Sequence, residues 1–137
     1  MKRFYFPLAI FLILSGTAPK ISSLQAQVLL FCEDVDENGY PKNESSAFSI
    51  AWEGGRLKVL VKLDDEIDCK KVKYVIYKVP GNGIEKYDTT ITQTVQENWI
   101  WFWKEITFYD EGKYNIYAFN QYDNFLASGT VKINFRN

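Results

Sequence analysis

Leu57, Val59, Val61 and Leu63 recur at every second residue, with Lys58, Leu60 and Lys62 between them. A period of two belongs to a strand with one apolar face. After residue 27 no stretch keeps apolar residues at helical spacing for three turns. Short strand-like runs recur instead: Val28–Cys32, Ala47–Trp52, Leu57–Leu63, Val72–Val79, Ile84–Thr92, Asn98–Phe108, Gly112–Asn120 and Phe125–Phe135. Turn chemistry divides them, at Glu53-Gly54-Gly55, Pro80-Gly81-Asn82-Gly83 and Gln121-Tyr122-Asp123-Asn124. Asn-Gly tolerates the positive φ of tight hairpins. The pattern predicts an all-β sandwich of about seven antiparallel strands.

The first 26 residues read as an address. Met1-Lys2-Arg3 is basic, Phe4–Leu14 is almost wholly apolar, and Ser15-Gly16-Thr17-Ala18 is small and polar. This is the layout of a secretory signal peptide. Eleven apolar residues containing Pro7 are too few to span a bilayer, which takes about 20. Cleavage after Ala26 is expected, leaving one domain over residues 27–137. No membrane span is expected after cleavage, and the location expected is secreted, periplasmic or cell-surface. The remaining chain carries 13 basic and 17 acidic residues, a net charge of −4. That balance offers no basic footprint for nucleic acid.

The 137-residue chain contains no histidine. Ser-His and Cys-His nucleophile pairs and the common His metal sites are therefore excluded. The acids cluster in turns such as Asp64-Asp65-Glu66 and Asp110-Glu111. No catalytic residues and no resident cofactor are expected. Asp34-Val35-Asp36-Glu37-Asn38-Gly39 places oxygen donors at alternate positions before a glycine, as calcium loops do. A calcium set of Asp34, Asp36, Asn38 and Glu44 stands against a solvated acidic turn. The loop lacks the EF-hand glutamate at its twelfth position, where Ser45 stands. In an oxidising compartment Cys32 and Cys69 most simply form one disulfide, with two buried thiols as the alternative. Asn43-Glu44-Ser45 matches a glycosylation sequon, a short pattern that often arises by chance.

Trp101, Trp103, Ile106, Asp110, Gly112, Tyr114 and Ile116 carry a more specific spacing. It resembles the E and F strands of immunoglobulin domains. Asp110, Gly112 and Tyr114 are similar to the tyrosine corner of that fold, where a tyrosine hydroxyl folds back onto the E–F connection. The chain departs from antibody domains at Ile116, where those place a cysteine, and in having no tryptophan in Val72–Val79. The resemblance implies an immunoglobulin-like β-sandwich of a small secreted bacterial type. It implies that Trp101 and Trp103 point into the core and that Ile100 and Phe102 point out. If Ile116, Ala118, Tyr74 and Ile76 face inward, Tyr77, Tyr117 and Phe119 form an exposed aromatic patch. The fold implies binding more often than catalysis. The expected function is a non-catalytic interaction module of the cell envelope, bound to an envelope protein or to its own copies. The alternative is a small carbohydrate-binding module using Tyr77, Tyr117 and Phe119.

Overall fold

The computed structural model describes residues 27–137. The signal sequence and its cleavage site lie outside the described residues. Ten strands follow in order: β1 Val28–Cys32, β2 Asp34–Val35, β3 Pro41–Lys42, β4 Ala47–Ile50, β5 Gly55–Lys62, β6 Lys71–Val79, β7 Lys86–Thr94, β8 Trp101–Phe108, β9 Gly112–Asn120 and β10 Phe125–Phe135. They build a three-stranded sheet β1-β5-β8, a five-stranded sheet β4-β10-β9-β6-β7, and the hairpin β2-β3. Pairing is antiparallel except between β10 and β4, which run parallel. The first part of the chain thus contributes β1 to one sheet and β4 to the other.

Consecutive strands cross repeatedly between the layers: β5 to β6, β7 to β8 and β8 to β9. With β1-β5-β8 on one side and β10-β9-β6-β7 on the other, this is the arrangement of an immunoglobulin-like β-sandwich. Among the described residues no strand flanks the outer side of β8, so β8 and β7 are free edges of opposite sheets.

The core alternates as a sandwich core should. Leu57, Val59 and Val61 of β5 meet Tyr74 and Ile76 of β6 and Ile116 and Ala118 of β9, all buried. Phe108 and Tyr114 stack edge to face at 5.0 Å. The Tyr114 hydroxyl donates to the carbonyl oxygen of Asp110 at 2.9 Å across the turn from β8 to β9. Burial, with the carboxylates of Asp110 and Asp88 nearby, pushes that hydroxyl up to about 12. Gly112 has φ +146, and a Cβ there would stand 2.9 Å from Cε of Lys78. Both the backbone and the space favour glycine.

The Trp101–Trp103 segment of β8 has the opposite orientation from the one expected. Phe102, Ile106 and Phe108 are core residues, while Trp103 is 38% exposed; Ile100, just before the strand, is 50% exposed, outward as expected. The spacing explains the correction. Trp103 and Ile106 are three residues apart, so a regular strand sets them on opposite faces. The pairing of β8 with β5 runs without a bulge from Trp101↔Lys62 to Phe108↔Gly55. Ile106 and Phe108 anchor the inner face, and the tryptophans follow outward. Lys104 shares the inward parity of Phe102 and Ile106, an inward charge of the kind that blunts edge strands.

The outward tryptophans are accommodated by the β2–β3 hairpin, which folds across the outer face of the three-stranded sheet. A Cβ on Gly39 would stand 2.7 Å from Cδ2 and Cε2 of Trp101, so the hairpin tip lies directly on that indole. Gly39 takes φ +85, a conformation open to glycine. Lys62 places its ammonium 5.0 Å from the Tyr40 ring, and Lys58 sits 4.0 Å over Trp103. Lys58 also pairs with Asp34 at 2.6 Å. Beneath this layer Leu60 and Cys32 are both fully buried, although Leu60 points away from the sandwich core.

Candidate functional site

The acidic hairpin uses its carboxylates on itself. One Asp36 oxygen accepts the backbone N–H groups of Asn38 at 2.8 Å and Tyr40 at 3.0 Å. These bonds, that of Tyr40 first, hold the Asp36 carboxyl below the usual range. Asp34 accepts from Lys58, whose ammonium lowers its carboxyl likewise. Glu44 lies past the hairpin, beside Phe31 and Gly129. The expected calcium set of Asp34, Asp36, Asn38 and Glu44 is therefore not assembled. Among the described residues no group of three or more acids or cysteines is placed to hold a metal. The alternation reads as turn chemistry because an Asx turn needs the same short acid before a glycine.

The expected disulfide is also absent: Cys32 and Cys69 are free thiols. Cys32 pairs with Lys58 in mid-sheet, four residues along β5 from its Lys62 end, roughly 13 Å at strand rise. Cys69 lies beyond that end, in a connection tied by Ile67 N–H to the Trp99 carbonyl and Asp68 N–H to the Glu97 carbonyl. A disulfide needs Cα atoms within about 7 Å. Each thiol instead reaches a backbone carbonyl, Lys58 at 3.6 Å for Cys32 and Lys71 at 3.2 Å for Cys69. Burial pushes the Cys32 thiol up, away from the reactive thiolate. Titration with a chromogenic disulfide reagent is expected to find no reactive thiol in the folded chain and two after denaturation. A count of none in both states would restore the disulfide.

The outer face of the five-stranded sheet is built differently. Ile116 and Ala118 are fully buried, so Tyr117 and Phe119 point outward from β9. Tyr117 meets Tyr77 of β6 edge to face at 5.6 Å, and Tyr77 meets Tyr87 of β7 at 6.0 Å. Phe119 stands two residues along and pairs with Phe125 at 6.0 Å. The structure thus joins Tyr77 and Tyr117, adds Tyr87, and gives Phe119 to a neighbouring pair. Tyr87 is 58% exposed. Its place was readable from the Pro80–Gly83 turn, since Tyr77 and Tyr87 are equally distant from Asn82. Asp110, Gly112 and Tyr114 lie apart, at the turn from β8 to β9 and the start of β9 described above.

A polar row fixes the Tyr117 ring. Glu85, in the connection before β7, accepts the Tyr117 hydroxyl at 2.7 Å and the Asn115 amide N–H at 3.0 Å. The Asn115 amide oxygen accepts the Thr130 hydroxyl at 2.7 Å. Nothing in the sequence marks Glu85, because its reach across two strands depends on tertiary placement. Donation from Asn115 and then Tyr117 holds the Glu85 carboxyl below its ordinary value of 4.5, and the same bond raises the Tyr117 hydroxyl. A lowered carboxyl contributes its stabilisation above the ordinary value and loses it as pH falls through the lowered one. The Tyr117 ring resonances, followed by NMR, are accordingly expected to titrate with a midpoint below 4.5. A titration centred above 4.5 would show that Glu85 is not engaged.

No protein-family model matches the chain, and no curated protein matches it. Among solved structures it is similar to an immunoglobulin-like protein from Pseudomonas aeruginosa, with TM-score 0.49 and 10% identity over 77% of this chain and 90% of that one. It is also similar to the CARDB domain of a Pyrococcus furiosus protein in complex with di-metal ions, with TM-score 0.41 and 15% identity over 81% of this chain and 93% of that one. The fold assignment rests on the strand order and pairing, not on these likenesses.

Proposed function

We propose that this chain is a non-catalytic interaction module, exported by its first 26 residues to the periplasm, the cell surface or the medium, which docks an envelope protein through the outer face of its five-stranded sheet. One observation carries the reading. The outer face of the three-stranded sheet is covered by the chain's own hairpin, whereas the five-stranded face leaves Tyr77, Tyr87 and Tyr117 at the surface, with Tyr117 held by Glu85 and the other two rings packed edge to face in line with it. Tyrosine is enriched at interfaces because it brings a large apolar area and a polar tip at little entropic cost. The non-catalytic reading is supported by the absence of histidine from the sequence and by the internal engagement of Asp34 and Asp36.

The test is affinity capture with tagged residues 27–137 from envelope extract of the native host, read by mass spectrometry. A stoichiometric protein partner captured by the native chain, and lost with Tyr117→Ala, supports the reading. A mass in light scattering of two or more whole chains makes the partner a second copy. A monomer that captures nothing contradicts it.

A further inference from the structure

The connection before β8 builds a second surface that the aromatic face does not share. Asn98, Trp99, Ile100, Trp101 and Trp103 wall a groove of about 600 Å³ along the free edge of β8, and Gln93 of β7 closes it from the other sheet. That size falls within the roughly 300–1,000 Å³ of small-molecule sites. No charged side chain lines it; the polar groups are the two carboxamides.

Gln93 is held in one orientation. Its Nε2 donates to the Trp103 carbonyl at 2.7 Å, and its Oε1 accepts the hydroxyl of the buried Tyr74 at 2.6 Å. A carbonyl only accepts, so the nitrogen must face Trp103 and the oxygen Tyr74. A carboxamide has two N–H groups and two acceptor sites. One of each therefore remains, at a groove lined by Trp99, Trp101 and Trp103.

We infer that this groove binds a neutral sugar ring of a glycan. A pyranose offers a face of weakly positive C–H groups to the negative face of an indole. Its adjacent hydroxyls are at once donors and acceptors, which is what a fixed carboxamide recognises. The uncharged lining disfavours phosphorylated or acidic ligands. The inference is independent of the partner-docking reading, which concerns the outer face of the five-stranded sheet, whereas Gln93 lines the groove from that sheet's edge strand.

The chain reports on the site itself. Three of its four tryptophans line the groove, and Trp52 is 76% exposed elsewhere. The experiment titrates residues 27–137 with cello-, chito- and manno-oligosaccharides and follows tryptophan emission. A saturable blue shift with at least one saccharide is expected. Gln93→Ala removes the polar contact but also unpairs the buried Tyr74 hydroxyl. Ile100→Asp is the cleaner variant, because Ile100 is half exposed and only its backbone carbonyl is engaged, by Leu63 N–H. It is expected to weaken binding by about tenfold or more by placing a charge in an uncharged groove. Tyr117→Ala is expected to leave saccharide binding unchanged and so separates the two surfaces. The inference is overturned if no saccharide shifts the emission, if Ile100→Asp leaves the shift intact, or if only an extended apolar peptide, added as a strand to β8, produces one.

Discussion

Leu60→Ala is expected to destabilise residues 27–137 by about 2–5 kcal/mol, the range for truncating a buried leucine. The direction of its side chain would suggest otherwise. Leu60 stands between Lys58 and Lys62 and shares their outward parity. It is nevertheless fully buried, flanked in register by Leu30 and Trp103. The hairpin above it is held at three points: Asp34 on Lys58, Tyr40 on Lys62, and Gly39 on Trp101. Removing the isobutyl group leaves a space that this layer must collapse into or leave empty. Urea denaturation checks it, with Tyr87→Ala, an exposed site, expected to stay within about 0.5 kcal/mol. A Leu60→Ala effect as small as that of Tyr87→Ala would mean that the hairpin does not cover the sheet.

Tyr117→Ala is expected to leave the fold intact and to remove partner capture. Tyr117, itself half-buried, is the centre of the row: its ring packs on Tyr77 and its hydroxyl on Glu85. Truncation deletes the ring and leaves the Glu85 carboxylate with only the Asn115 donor. A central tyrosine of this kind commonly contributes about 2 kcal/mol or more to an interface, roughly thirtyfold in Kd. Tyr117→Phe separates the two contributions, since it keeps the ring and loses the bond to Glu85. It is expected to retain most of the capture, with surface plasmon resonance against the identified partner as the check. Capture by Tyr117→Ala at native affinity would move the interface elsewhere.

The sandwich was legible because its signals are local. Alternation placed Leu57, Val59 and Val61 inward, and turn residues marked the hairpin between β6 and β7 and that between β9 and β10. Outward Tyr77 and Tyr117 followed from inward Ile76 and Ile116 by parity alone. The misreadings arose where tertiary structure decides. A strand apolar on both faces, such as β8 with its Trp101-Phe102-Trp103, does not reveal which face is the core. Its parity was set by Ile106 and Phe108 and by a covering hairpin that no local pattern announces. Cys32 and Cys69 were paired by compartment, yet they lie at different levels of the sandwich. Asp34, Asp36 and Asn38 have ligand-like spacing, but the first two carboxylates are consumed by Lys58 and by the hairpin's own N–H groups.

The most direct test of the two-faced account is hydroxyl-radical footprinting of residues 27–137, alone and with the captured partner, read residue by residue by mass spectrometry. The account predicts that Tyr77, Tyr87 and Tyr117 are modified in the free chain and protected in the complex, while Leu60 stays unmodified in both. Protection confined to Tyr40 and Trp103, with the three tyrosines unchanged, would contradict it.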